Sequence, residues 1–204
     1  GDFIYRVTAI DSITSGRTKL IGVVAAKKSK LTKVTVPNTA NFKGYGLNVT
    51  EVGDNAFKAM KKLKKVTFGA NVKVIGKAAF SNCKKLNKIN FKNVTTIGNN
   101  AFAGCKALKK LTIGSKVTTI GKNAFKKCTK LKTVVIGKSV KTIKAKAFTK
   151  DNKIKKITFK GKKLKTVKKN ALSSKVKKNI KTKKTKLKGN KKAIKVFKKK
   201  LKIK

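Results

Sequence analysis

Three cysteines, Cys83, Cys105 and Cys128, each follow a phenylalanine by three residues and recur at intervals of 22 and 23 positions. If those segments stack as neighbouring strands, the thiols lie about 4.8 Å apart, inside the separation a disulfide permits. Three thiolates in line could equally begin a metal site. Parallel, inward-pointing side chains suit a disulfide poorly, however, and Met60 fills the same position one interval earlier. That pattern describes a buried apolar slot holding unpaired core thiols, and no metal or cofactor is expected.

The remaining catalytic vocabulary is sparse. Histidine is absent, which removes the usual general base and the commonest metal ligand. The acids are Asp2, Asp11, Glu51, Asp54 and Asp151, and only Glu51 and Asp54 lie close together. Their equivalents in later intervals are Val74, Thr96 and Thr119, and Lys77, Asn99 and Lys122, so both occupy variable corners. A solvated pairing of Asp54 with Lys77 is expected there, not an acid/base couple. Asn48 and Asn93 begin Asn-Val-Thr triplets, which read as ordinary turn and repeat residues.

Lysine is where the chain is unusual. Lys and Arg total 58 against five acids, a formal charge of +53 over 204 residues. Such an imbalance implies attraction to polyanions and self-repulsion at low salt. Only Arg6 and Arg17 are arginines. Lysine is a hydrated point charge without the bidentate fork that reads base edges, so sequence-specific nucleic-acid recognition is not expected.

What must position these residues is a repeat of roughly 23 residues, and self-similarity at that period identifies a solenoid. Phe57, Phe80, Phe102, Phe125 and Phe148 mark it, with Leu172 at the next beat. Leu63, Leu86, Leu108, Leu131 and Ile154 each open an alternating run that reads as a short strand, ending at residues 68, 91, 113, 136 and 159. Residues 31 to 36 fit the same template, so six rungs of parallel sheet are expected on one side. The other side should carry irregular or short segments through Val-x-x-Ile-Gly and the Ala-Phe step. Gly53, Gly76, Gly98 and Gly121 form a column needing either φ > 0 or close backbone approach. Lys144 and Lys168 replace it later, which predicts less regular rungs.

The outward strand positions are the best binding candidates. One column is Lys65, Lys88, Lys110, Thr133 and Lys156, and beside it runs Lys64, Asn87, Lys109, Lys132 and Lys155. Like charges on adjacent strands are unfavourable, so stability alone would not select this face. Either the lysines only solvate it or they bind anions. Residues 1–48 read as a β-rich N-terminal cap that includes the first rung at 31–36, with Asn38 to Asn48 as an inserted hairpin or loop. Residues 49–172 are the repeats, and 173–204 form a lysine-rich C-terminal cap or tail, with apolar residues such as Val176, Ile180 and Phe197 favouring the cap.

Residues 117–136, Val-Thr-Thr-Ile-Gly-Lys-Asn-Ala-Phe-Lys-Lys-Cys-Thr-Lys-Leu-Lys-Thr-Val-Val-Ile, carry a motif that resembles the BspA-like leucine-rich repeat family. The likeness runs over roughly residues 31 to 172. It implies a leucine-rich-repeat solenoid from a bacterial surface or secreted protein, described in family members as an adhesin. It supplies no shared catalytic residue. Departures are the lysine density, the lysines at 144 and 168, and Asp151 where earlier repeats carry cysteine.

The expectation is therefore a non-enzymatic, extracellular or cell-surface binding scaffold, its signal peptide removed ahead of Gly1. Its partner would be a host or matrix protein, an anionic glycan or a cell-wall polymer. Candidate contact residues are Lys64, Lys65, Lys88, Lys109, Lys110, Lys132, Lys155 and Lys156. The rival readings are an intracellular polyanion binder without sequence preference and a targeting module of a larger surface enzyme. No stretch approaches 18 apolar residues, so no transmembrane helix is expected.

Overall fold

A computed structural model describes residues 3–10, 18–26, 31–42, 45–168 and 170–203. The side chains of residues 1–30 and 42–45 lie outside what is described.

The lysine-bearing side of the solenoid is built from strands Lys33–Val36, Lys65–Phe68, Lys88–Asn90, Lys110–Thr112, Thr133–Ile136 and Lys156–Phe159. Alternation places Val66 and Phe68 in the core and Lys65 outside, and the same pattern recurs from rung to rung. Two features differ from the expectation of six continuous rungs. A seventh strand, Lys186–Gly189, pairs in parallel with Lys156–Phe159. The sheet is also divided, three strands ending at Lys88–Asn90 and four beginning at Lys110–Thr112. That break falls at the interval shortened to 22 residues, where one corner residue is missing between Phe91 and Val94.

Long intervals mark insertions. Between paired Lys33 and Lys65 the chain inserts the antiparallel hairpin of Thr39–Phe42 with Tyr45–Val52, as expected from Asn38 to Asn48. Between paired Lys156 and Lys186 it inserts helix α1, Ser174–Lys181. The β-rich N-terminal cap contains strands Phe3–Ile10 and Thr18–Ala26, antiparallel to each other.

Across the core, the short segments are hydrogen-bonded into a second parallel ladder. Two-residue strands Val74–Ile75, Thr96–Ile97, Thr119–Ile120, Thr142–Ile143 and Thr166–Val167 extend from Tyr45–Val52 without interruption. The glycines beside it do not have positive φ. A Cβ on Gly98 would sit 2.6 Å from the Ile75 carbonyl oxygen, and one on Gly121 would sit 2.6 Å from the Gly98 carbonyl carbon. Close approach is therefore what these positions require. The loss of glycine does not make later rungs irregular. The N–H groups of Lys144 and Lys168 donate to Ile120 and Ile143 as Gly121 does to Ile97.

The Ala-Phe arc forms a third ladder, with Phe57, Phe80, Phe102 and Phe125 donating to the alanine before the next ring and Phe148 to Ala171, before Leu172. Two residues per turn are left-handed, and they flank each phenylalanine at −2 and +2. The first column is Asn55, Ala78, Asn100, Asn123 and Lys146, and the second is Ala59, Asn82, Gly104, Lys127 and Lys150. Asparagine and glycine adopt this conformation readily, which explains their recurrence there.

The five phenylalanine rings stack with centroids 5.0 to 5.5 Å apart and planes within 7°. Phe68 and Phe91 meet that column edge-on from the sheet side. Helix α2, Lys191–Leu201, closes the far end, where Phe197 packs against Phe159 with centroids 5.0 Å apart. Ser173 and Asn190 cap the two helices, accepting from the N–H groups of Val176 and Ala193. Residues 174–203 are thus ordered against the last rung.

Candidate functional site

The strand register sets the lysine side chains in file. Lys33, Lys65 and Lys88 are paired in succession, as are Lys110, Thr133, Lys156 and Lys186. One position earlier, Asn87 donates to the Lys64 carbonyl, Lys132 to that of Lys109 and Lys155 to that of Lys132, so the second column also climbs rung by rung. All eight candidate lysines, Lys64, Lys65, Lys88, Lys109, Lys110, Lys132, Lys155 and Lys156, are exposed. Lys33 and Lys186 extend the first column at both ends. Lys33 was legible as the outward residue of the first rung, whereas Lys186 depended on the unforeseen seventh rung.

Beyond the lysines, the outward positions of Thr35, Thr67, Asn90, Thr112 and Thr158 add hydroxyl and amide groups. Among the described residues no carboxylate interrupts this face. Among the described acids, Glu51 lies on the opposite ladder, opposite Val74, Asp54 is at a corner and Asp151 is buried. The surface can hold an anion by charge and by hydrogen bonds from short polar side chains.

The acids differ from expectation in one respect. Asp54 does meet Lys77, but its Oδ1 accepts from the backbone N–H at 2.6 Å; the contact is to the main chain, not the ammonium group. Asn99 repeats this contact toward Lys122 one rung on. The column therefore bridges rungs, and charge is incidental to its role. Burial, followed by the proximity of Asp54, raises the Glu51 carboxyl above its ordinary range.

The cysteines form the expected buried column and are unpaired. Each thiol donates to the carbonyl of the phenylalanine one rung below: Cys83 to Phe57 at 3.0 Å, Cys105 to Phe80 at 3.3 Å and Cys128 to Phe102 at 3.4 Å. Burial pushes Cys83 up to about 11 and the other two well above the ordinary thiol value. Such thiols are poor nucleophiles and poor metal ligands at neutral pH.

Asp151 takes the next place in that column with no exposed surface, and neither carboxylate oxygen has a hydrogen-bond partner. Burial pushes its carboxyl up to about 8, with the Cys128 backbone N–H pulling weakly the other way from outside bonding geometry. The departure from cysteine was visible in the sequence; its complete burial was not. Asn48 and Asn93 are engaged within the turns, Asn48 Oδ1 accepting from Asn71 and Asn93 Nδ2 donating to the Ala70 carbonyl.

Among the described residues, no helix is long and apolar enough to cross a membrane. Solved structures share the architecture. A leucine rich cell surface protein from Faecalibacterium prausnitzii A2-165 aligns with 25% identity and a TM-score of 0.60, covering 84% of this chain and 50% of that one. A leucine-rich repeat protein from Bacteroides ovatus aligns with 23% identity and a TM-score of 0.60, covering 95% and 53%. The pneumococcal vaccine antigen PcpA aligns with 20% identity and a TM-score of 0.60, covering 87% and 45%. The chain spans about half the length of these three structures. No curated protein matches it. The sequence profile of the BspA type leucine rich repeat region matches residues 50–181 in six copies. With well over half of its residues matched in this way, the chain belongs to the BspA-type leucine-rich repeat family, whose members are repeat scaffold proteins.

Proposed function

We propose that this chain is a non-enzymatic binding scaffold of the bacterial cell surface that engages polyanions through its lysine-bearing sheet face. The observation that carries this reading is the double column of exposed lysines on successive rungs with no carboxylate among them. Rungs repeat at about 4.8 Å, so the charges form a line along the solenoid, suited to a linear partner. Exposed like charges at this spacing oppose folding by a few tenths of a kcal/mol per contact, a cost that an anionic partner would relieve. Placement at the surface is supported by the cell surface protein from F. prausnitzii.

The test is binding of heparin and of duplex DNA across a salt series. The logarithm of affinity for duplex DNA is expected to fall linearly with log salt, by about 0.9 per phosphate neutralised, and unrelated sequences are expected to bind alike. Replacing Lys65, Lys88, Lys110 and Lys156 together by Gln is expected to weaken both ligands. Weak binding by the unaltered protein even at low salt would refute the reading and leave the lysines as a solvated face.

A further inference from the structure

Where the sheet face turns the corner near its C-terminal end, two recesses of about 640 Å³ and 200 Å³ lie side by side. The larger is lined by Lys132, Asn152, Lys153, Ile154, Lys155, Asn179 and Lys184. The smaller adds Lys109 and Lys130 and shares Lys132 and Lys153 with the first, so the two form one trough. Six lysine side chains thus line one concave surface. The carboxylate nearest in sequence, Asp151, is turned into the core with no exposed surface.

The trough is part of the ordered fold. Thr185 donates its backbone N–H to the Asn179 carbonyl and its hydroxyl to the Ile154 carbonyl at 2.8 Å. Lys186 N–H donates to the Lys155 carbonyl. These bonds tie the end of α1 and the seventh strand to the rung that carries Lys153 and Lys155. An anion entering there meets preformed walls, which lowers the ordering cost of binding.

We infer that this trough is the seat of a linear acidic polysaccharide, its sulfate or carboxylate groups on Lys130, Lys153, Lys155 and Lys184 and its hydroxyls on the carboxamides of Asn152 and Asn179. The inference rests on the polyanion reading of the sheet face and locates its tightest contact. Single-stranded nucleic acid fits less well, because it is gripped by base stacking on aromatic side chains and none lines the trough. Amides that both donate and accept match sugar hydroxyls, and lysine alone supplies the charge contacts.

The experiment titrates a heparin-derived hexasaccharide and a short oligothymidylate into the whole chain at about 0.15 M salt. Three proteins are compared: the unaltered chain, K130Q/K153Q/K184Q, and K33Q/K65Q/K88Q, which loses equal charge from the far end of the face. Circular dichroism confirms that each remains folded. The trough variant is expected to lose about tenfold in hexasaccharide affinity and roughly one unit of salt slope per lysine, the far variant about threefold or less. Asn152→Ala is expected to weaken the hexasaccharide without changing the salt slope. Equal losses in the two triple variants, or tighter binding of oligothymidylate than of the hexasaccharide, would overturn the assignment. Binding of long heparin but not of the hexasaccharide would remove the trough and keep the polyanion face. Failure of both ligands would remove both readings.

Discussion

Replacing Asp151 by cysteine, the residue its column carries at 83, 105 and 128, is expected to stabilise the protein in a pH-dependent way. The side chain is fully buried and its carboxyl is pushed from an ordinary 3.8 up to about 8. In the folded state it is therefore neutral at pH 7, whereas in the unfolded chain it is ionised. The folded state holds the extra proton, so stability from this group is fully present below about pH 4 and is lost as pH rises to about 8. Each pH unit between those limits costs at most about 1.4 kcal/mol, so the loss by pH 7 is on the order of 4 kcal/mol. Urea denaturation of both proteins at several values between those limits measures the difference directly, and the titration of Glu51 and the lysine background cancel between them. The gap is expected to be small near pH 4.5 and to widen to several kcal/mol near pH 8. A gap that stays constant across this range would show that the carboxyl does not hold its proton in the folded state, and the reasoning from burial would fail.

Phe102→Ala opens a cavity in the middle of the ring column, between Phe80 and Phe125, and is expected to cost about 3–5 kcal/mol in a urea melt. Phe197→Ala removes the edge-on contact with Phe159 and is expected to cost about 3 kcal/mol, with limited proteolysis cutting first within residues 174–203. The three cysteines are expected to resist a thiol reagent in the native state at pH 8 and to react together once urea unfolds the chain. Rapid modification of any one of them in the folded protein would contradict the buried column.

Much of the solenoid was legible because its columns are chemically monotonous. One phenylalanine, one small apolar slot and one alternating strand per turn leave few other ways to bury the core. Sequence periodicity could not show the division between Lys88–Asn90 and Lys110–Thr112, since a missing corner residue tells where slack was lost but not which ladder lets go. The strand Lys186–Gly189 escaped because α1 stretches its interval to 30 residues and its sequence, Lys-Leu-Lys-Gly, offers a single large apolar residue. The left-handed columns were hidden by Ala78, Lys127, Lys146 and Lys150, residue types that do not announce that conformation. Lys65, Lys88, Lys110 and Lys156 could be placed from strand alternation, and Lys64, Lys109, Lys132 and Lys155 from the repeat, one position before each strand. Lys130, Lys153 and Lys184 could not, because the trough exists only once α1 and the seventh strand fold against the preceding rung.

The hydrogen bonds that join the rungs all run along the solenoid, from one turn to the next. A pull on the two ends therefore loads the rung boundaries in series, like links of a chain, and each boundary bears the same tension. The boundary that yields first is the one with fewest strands across it. Between Lys88–Asn90 and Lys110–Thr112 the sheet ladder is missing, while the Thr96–Ile97 to Thr119–Ile120 pairing and the Phe80-to-Ala101 bond persist on either side of that level. Stretching a single molecule is expected to open this junction before any other in the repeats, separating the trough and its lysines as one intact half from the hairpin-bearing half.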